Sequence, residues 1–493
     1  MEYIISIDQS TSSTKALLFD ERCRLVSRSS VDHQQYYPQA GWVEHDAEEI
    51  YNNMVEAIRR LLEGQDLTAD TYSLAITNQR ETIVAWDKTT GRPIHHALVW
   101  QDTRGAQLCR EWRTVPGLSQ LVDERAGLKI DPSFCASKMR WMLDNISGAR
   151  QLAADGHLLM GTIDCWLVWK LTQGRTFATD YTNASRTMLF DIYKLQWDND
   201  LATAMDIPMS VLPEPRPCDA TYGETTVEGL FAEPIAIAGV LGDSHGALLG
   251  QMCFRPGTGK VTYGTGSSVM LNIGETPHHA PEGLVTSIGF TVKGQTFYAY
   301  EGNIYSTGAT LKWMADQMKY ISSPAETEQL ARSVADNGGV YLIPAFAGLG
   351  APWWKDNVKA AIVGLTFNSE KAHIVRAALE SIAYQVTDLI TAMTTPTGIR
   401  IAEISADGGP TNNQFLMQLQ ADLLSADIVC TDVDDASALG AVVANGFACG
   451  RWSSTEEVSR LKNVTRRISP KANPHVAAWY KGWREAVEHL IIK

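Results

Sequence analysis

Residues 4–20 read IISIDQSTSSTKALLFD, and residues 259–273 read GKVTYGTGSSVMLNI. In the first stretch two apolar runs flank a tight cluster of Ser and Thr, the pattern of two strands joined by a short turn. In the second, an apolar approach and an apolar return flank Gly-Thr-Gly. The copies lie about half a chain apart, and a repeat so placed points to two similar α/β domains. Length agrees: the chain has 493 residues, and single cores stop growing near roughly 250 residues. A boundary near residue 245 is expected, giving domains 1–245 and 246–493 with a binding cleft between them.

Working outward, helical and β-rich patterns alternate. Apolar spacing predicts helices over Glu48–Leu62, Ser137–Asn145, Ala309–Met318 and Ala372–Ile390. Strands are expected at Tyr72–Thr77, Ile83–Trp86 and Ile401–Ala406, the last running into Asp407-Gly408-Gly409. Such alternation implies mixed or parallel sheets covered on both faces.

Composition narrows the partners. Hydrophobic residues make up 45% and charged residues 20%, with 42 Lys+Arg against 56 Asp+Glu, a net charge of −14. That balance argues against nucleic acid, which calls for clustered basic side chains. It leaves room for a small phosphorylated ligand held by backbone amides and a metal ion. The eight cysteines are scattered without a CxxC pair, so neither a zinc site nor a disulfide framework is expected. The N-terminus enters a strand at once, so no signal peptide is expected. The most apolar stretch, Ile235–Phe254, holds Asp243, His245 and several glycines, which disfavours membrane insertion. A cytoplasmic location follows.

Five segments bear on chemistry. The small residues after Asp8 leave backbone N–H groups pointing one way, as an anion nest requires. Asp8 is placed to hold Mg²⁺ directly or through water, and Thr11 and Lys15 add donors. The plainer reading is a hairpin turn whose Asp bonds its own loop. In Tyr263–Ser268, glycines on both sides of Thr265 permit a close approach of backbone to ligand; two such nests would clasp a triphosphate. Asp407–Asn413 reads as a strand meeting a helix at a Gly pair, suited to a ribose or base, or simply as a connection with an Asn N-cap. In Gly242-Asp243-Ser244-His245, Asp243 at a strand end is a candidate base, with His245 its rival. Arg80-Glu81, near Trp100-Gln101-Asp102, offers donor and acceptor to vicinal hydroxyls, or else forms a surface ion pair. No Walker GxxxxGK[ST] occurs, which excludes a P-loop kinase.

Taken together these segments resemble the FGGY family of carbohydrate kinases over essentially the whole chain, its glycerol kinase branch in particular. The resemblance is carried by GWVEHD at 41–46, ITNQRET at 76–82, GRPIHHALVWQDTR at 91–104, GTIDCWLVWKLT at 161–172, TDYTNASRTMLFDI at 179–192, YGTGSS at 263–268, YLIPAFAGLGAPWW at 341–354 and ADGGPTNNQFLMQLQAD at 406–422. It implies two actin-like ATPase (ribonuclease H-like) domains with ATP and acceptor in the cleft between them. It also implies Mg²⁺ held by Asp8 and Asp243, with Asp243 the general base. Arg80, Glu81, Trp100, Ser133, Ser244 and Ser268 fall at acceptor positions. Thr11, Ser12, Lys15 and Thr265 fall near the phosphates, and Gly308, Lys312, Gly409 and Asn413 where ADP is held.

The departures concern the acceptor. Glycerol kinases usually have Tyr at Ser133, Gln at Ser244 and Phe at Ser268, and Arg at Lys15. The expectation is ATP-dependent phosphorylation of a polyol or open-chain sugar of four or five carbons. Ordinary glycerol kinase activity and a non-catalytic nucleotide-binding regulator are the alternatives. Assembly as a homodimer or homotetramer is open to such a chain.

Overall fold

The computed structural model describes residues 2–64, 71–355, 357–431 and 435–491. Both hairpins form. Strand β1 (Glu2–Gln9) pairs antiparallel with β2 (Ser13–Asp20), setting Ile7 opposite Ala16 and Gln9 opposite Thr14. With β3 (Leu25–Asp32), β4 (Thr71–Asn78), β5 (Thr221–Thr225) and β6 (Ile235–Gly242) they make a six-stranded sheet of order β5-β6-β4-β1-β2-β3. The contacts of β4 with β1 and β6 are parallel, and the rest are antiparallel.

The second hairpin, β7 (Thr258–Tyr263) with β8 (Ser267–Gly274), starts a larger sheet. Adding β9 (Val285–Val292), β10 (Gln295–Ile304), β11 (Glu403–Asp407), β12 (Asp427–Thr431) and β13 (Val464–Ile468) gives the order β9-β10-β8-β7-β11-β12-β13. Around β1 and β7 the pattern is the same. Each has an antiparallel hairpin partner on one side and two parallel strands on the other, closed by an antiparallel edge strand. The sequence repeat is therefore a structural one. Strand β11 begins two residues later than the expected Ile401, because its parallel partner β7 begins only at Thr258, opposite Glu403.

The near-continuous apolar run of β1 is buried on both faces, as a central strand of a covered sheet requires. On one face lies α1 (Ala47–Leu62), capped by Asp46 accepting from the Glu48 and Glu49 amides, its Ile50, Met54, Ile58 and Leu61 facing Ile5, Ile7 and Leu18. On the other lie α2 (Asp243–Gly250) and α7 (Ala436–Ala448), a cluster that joins Ile4, Leu17 and Leu241 of the first sheet to Met270 and Phe290 of the second. A methyl on Gly440 would sit 1.9 Å from the Gly246 carbonyl, so α2 and α7 meet backbone to backbone.

Between them in the chain come α3 (Gly308–Asp316), α4 (Glu326–Ser333), α5 (Lys371–Thr394) and α6 (Gln414–Leu424), which pack on the second sheet, with α8 (Val476–Ile491) outside them. Helix Cys135–Asn145 and strand Ile83–Asp87 also form where their apolar spacing put them. No described helix is long and apolar enough to cross a membrane; Ile235–Phe254 is split between β6 and α2.

Candidate active site

Strand β1 delivers Asp8 to the mouth of the first hairpin. Its buried carboxyl accepts from Ser10 Oγ at 3.3 Å and Lys15 Nζ at 3.4 Å. The same ammonium reaches Asp435, just before α7, at 2.5 Å. Burial raises the Asp8 pKa to about 6; Lys15 pulls it down, while Asp243 and Asp435 push it further up. Asp243 and Asp435 thus both oppose the ionisation of Asp8, and Lys15, Arg80 beside Asp243 and Arg28 beside Asp435 are the cations around the three; a buried carboxylate so opposed gains from a further cation. This suits Mg²⁺, which takes one or two protein carboxylates and keeps water and phosphate oxygens as its other ligands. Asp8 and Asp243 are the residues that would hold it.

In the turn itself the amides of Thr11 and Ser12 have no hydrogen-bond partner among the described residues, while their carbonyls accept from His33 Nε2 (2.9 Å) and the His33 amide (3.1 Å). The second turn is built alike. The Thr265 carbonyl accepts from the Thr307 and Ala309 amides, each at 3.0 Å, and the Thr265 and Gly266 amides are left without partners among the described residues. Both turns are thus gripped from behind by their carbonyls and show N–H groups outward, as anion nests do. Only glycine fits at the start of α3, since a Cβ on Gly308 would lie 2.5 Å from the Gly264 carbonyl.

Two cavities adjoin these turns. One of about 860 Å³ is lined by Thr265, Gly308, Lys312, Gly409 and Asn413. The other, of about 560 Å³, is lined by Asp8, Lys15, Thr262, Asp407 and Asp435. Gly409 and Asn412 belong to both, so the large cavity leads to the carboxylates. Gly408 makes the join, with φ +96° and no room for a Cβ beside the Tyr263 carbonyl. Asn413 spends its side chain as an N-cap, accepting from the Leu416 amide at 2.9 Å and donating to Thr327 at 3.1 Å. The Lys312 ammonium stands 79% exposed, 3.3 Å from Asp316.

The acceptor positions are arranged differently. After β4, Glu81 is buried and the Arg80 side chain is 10% exposed, and the two do not pair with each other. Arg80 makes a fork to Glu301 of β10 at 2.7 and 2.9 Å, and its Nε lies 3.2 Å from Asp243. Arg186 bonds Glu81 at 2.6 Å and lies 2.7 Å from Glu301. The result is one buried chain: Glu81, Arg186, Glu301, Arg80, Asp243. Glu81 sits at φ +61°, rare for a side chain of this kind, in the turn that aims it at Arg186. Burial opposes the charge on Glu301, and Arg186 and Arg80 outweigh it, holding its carboxyl well below the usual range. For Asp243 burial wins, and its pKa is raised against the pull of Arg80. Asp243 opens α2 with its side chain 38% exposed, the end of the chain that meets solvent.

His245 is fully buried, with Nε2 3.3 Å from Ser287 Oγ, and burial lowers its pKa well below the ordinary value. It has no exposed surface from which to meet a ligand, whereas the Asp243 side chain is 38% exposed. Trp100 is 39% exposed and donates to Thr11 Oγ1 at 3.0 Å, linking the acceptor side to the first turn. The Ser133 hydroxyl donates to Asp131 at 2.7 Å, and Ser268 Oγ accepts from Lys260 at 3.0 Å. Ser244 is half-buried beside Asp243, its amide donating to that carboxylate at 2.6 Å.

Sequence reasoning missed Arg186, Glu301, Lys260 and Asp435. Arg186 lies within the quoted run TDYTNASRTMLFDI, held in place by Asp180 capping residues 181–184 and by the Gly242 amide donating to Thr182 at 2.9 Å. Glu301 and Lys260 are charges inside apolar strands, 2% exposed each. An ionisable group in such a run is the signal that could have found them, because a buried charge needs a partner.

Comparison with known proteins now decides the family. The N-terminal domain of the FGGY family of carbohydrate kinases matches residues 3–250, and the C-terminal domain matches residues 259–449. The chain belongs to the FGGY family of carbohydrate kinases. Glycerol kinase 1 of Thermotoga maritima is 46% identical, covering 99% of both chains, and the glycerol kinase of Desulfitobacterium hafniense is 44% identical with the same coverage. The crystal structure of Plasmodium falciparum glycerol kinase with ADP superimposes with a TM-score of 0.94 at 35% identity, over 100% of this chain and 99% of that one. A xylulose kinase from Lactobacillus acidophilus shares the fold, with a TM-score of 0.88 at 20% identity over 99% and 98%. As an FGGY kinase the chain is an ATP- and Mg²⁺-dependent phosphotransferase acting on a hydroxyl of a carbohydrate or glycerol.

Proposed function

We propose that this FGGY kinase phosphorylates a terminal hydroxyl of glycerol, with Asp243 as general base. The reading rests on the carboxylate of Asp243, set at the solvent end of a buried ion-pair chain and raised in pKa toward the range a base needs. Arg80 and Glu81 bind the neighbouring hydroxyls, and Trp100 covers them. Thr11, Ser12, Lys15 and Thr265 hold the phosphates through two amide nests, while Gly308, Lys312, Gly409 and Asn413 line the nucleotide's cavity. Asp8 and Asp243 would hold Mg²⁺, which when bound would supply charge to offset the transferring phosphoryl group. Asp243 accepts the hydroxyl proton as the oxygen attacks, and the amides bear the charge that develops. Residues 1–245 supply acceptor and phosphate contacts, and residues 246–493 the nucleotide cavity. Glycerol is favoured by the names of the full-length relatives.

A second reading, an acceptor of four or five carbons, is favoured by Ser133, Ser244 and Ser268. Rings at two of these positions would each bury on the order of 150–250 Å²; serines offer donors and acceptors to extra hydroxyls instead. A coupled assay of kcat/KM for glycerol, erythritol, xylitol and xylulose decides between them: a clear win for glycerol supports the first, and a win for a longer acceptor replaces it. ADP release with none of the four would favour a regulator without acceptor chemistry.

A further inference from the structure

A third cavity, of about 510 Å³, lies behind the nucleotide cavity and is ringed by Arg332, Arg376, Arg466, Arg467 and Lys471, with Asp422 its one lining carboxylate among the described residues. In a chain of net charge −14, five cations around one hollow make a local field opposite to that of the whole. Three of them are already matched: Arg332 by Glu328 at 2.9 Å, Arg376 by Glu380 at 2.7 Å, and Arg467 by Glu403 and Asp427 at 2.8 and 2.7 Å. The other two are not. Arg466 reaches only the Thr411 carbonyl (2.6 Å) and Cys430 Sγ (3.6 Å), and the Lys471 ammonium has no ion pair among the described residues. The floor is apolar and aromatic: the guanidinium of Arg376 lies 5.0 Å from the Phe415 ring and 5.2 Å from that of Trp479.

This hollow and the nucleotide cavity share a wall. Helix α6 turns Asn413 and Leu416 to the nucleotide cavity and Gln414, Phe415 and Gln418 to the basic one. Two contacts cross it. Glu328, which lines the nucleotide cavity, accepts from Arg332 and, through its other oxygen, from the Gln414 amide at 2.9 Å. Thr411, in the segment Gly409–Asn412 that joins the two active-site cavities, gives its carbonyl to Arg466.

We propose that the basic cavity is a binding site for a phosphate monoester with a small polyol or sugar body, and that its occupancy weakens nucleotide binding. A phosphate dianion brings the acceptor oxygens that Arg466 and Lys471 lack, and Arg forks suit it. Drawing Arg466 from Thr411 and Arg332 from Glu328 loosens the first turn of α6, which borders the nucleotide. The site is distinct from the acceptor cleft, and its coupling rests on the reading of the large cavity as the nucleotide's.

The test uses the full chain with glycerol 2-phosphate as probe, a small polyol monoester that phosphorylation of a terminal hydroxyl does not produce, and ADP affinity by calorimetry as readout, at ionic strength matched with potassium chloride. The expected result is a saturable rise of the ADP dissociation constant of roughly 5-fold or more, the usual range of coupling between sites. Lys471→Glu, which removes an ammonium that has no ion pair among the described residues, should keep the basal ADP affinity and turnover and lose the rise. No rise in the unaltered protein, or a rise that survives in Lys471→Glu, overturns the proposal. Failure to bind ADP at all would instead overturn the nucleotide reading on which it rests.

Discussion

The two sides proposed for this cleft, one for the phosphates and one for the acceptor, are made of different materials. On the phosphate side two hairpin turns present backbone amides, and the side chains that matter are small: Thr11, Ser12, Thr265, and glycines where a Cβ would strike a carbonyl. On the acceptor side the working groups are charged side chains from distant parts of the chain, each holding the next: Glu81, Arg186, Glu301, Arg80, Asp243. The first design tolerates side-chain change because its donors belong to every residue alike. The second does not, because each buried charge is stable only while its neighbour is present.

The widest gap should open at Asp243. Asp243→Asn leaves the amide nests intact, so ADP affinity should stay within about 3-fold while kcat falls by about 10²–10⁴, the usual share of a general base. Burial of His245 behind the site predicts a much smaller loss for His245→Ala. Steady-state turnover with nucleotide titration tests both, and a larger loss in His245→Ala would reverse the assignment.

Next in size is Glu301, which holds two arginines. Glu301→Ala leaves Arg80 and Arg186 buried without their shared carboxylate, at a cost of about 3–5 kcal/mol in stability, with a matching fall in acceptor kcat/KM. Thr265→Ala, on the other side, should cost less than about 1 kcal/mol, since the amides remain. Chemical denaturation of the pair tests the contrast between the two sides; equal losses would abolish it.

Why one side was legible in the sequence and the other was not follows from the same difference. A turn that shows amides must be short and made of Gly, Ser and Thr, so IISIDQSTSSTKALLFD and YGTGSS announce themselves locally, as does the Gly pair after β11. The ion-pair chain is long-range: Arg80 meets Glu301 across 221 residues, and Arg186 meets Glu81 across 105. Nothing near Glu301 in AYEGNI names its partner. Arg80-Glu81 looked like a pair and is not one, because the left-handed turn at Glu81 sends the two side chains to different partners.

A third effect sets function against stability. The folded-state pKa of Asp8, raised from 3.8 to about 6, means that the folded protein holds its proton longer than the unfolded chain does. Stability from this group is therefore greatest at low pH and is lost as pH rises from about 4 to 6. At pH 7 the penalty is about 3 kcal/mol, at 1.36 kcal/mol per unit. Asp8→Asn should thus raise the melting temperature of the ligand-free protein at pH 7 while suppressing turnover, and the gain should vanish near pH 4. Thermal denaturation at the two pH values checks this, and a fall in melting temperature at pH 7 would show that Lys15 needs Asp8 more than burial resists it.

A smaller effect than that at Asp8 belongs to Lys260, which stands where the two sides touch. Its buried ammonium donates to Ser268 on the acceptor side at 3.0 Å and lies 3.4 Å from Thr262, which lines the phosphate cavity. Because Ser268 Oγ accepts this bond, its own proton is free to point at an acceptor hydroxyl. Lys260→Met frees Ser268 to turn, so the acceptor KM should rise by about 10-fold, the size of one hydrogen bond at about 1.4 kcal/mol, with kcat nearly unchanged. Stability supplies an independent reading. Burial holds the Lys260 pKa below its ordinary 10.5, against the pull of Asp407 and Glu301. Above its folded pKa the unfolded chain binds the extra proton, so wild-type stability relative to Lys260→Met should rise from neutral pH toward 10.5. A melting-temperature difference that stays flat between pH 7 and pH 9.5 would mean the ammonium is less buried than its 2% exposure implies. An unchanged acceptor KM would mean that Ser268 is set by its strand alone, and that the two halves of the cleft do not communicate through Lys260.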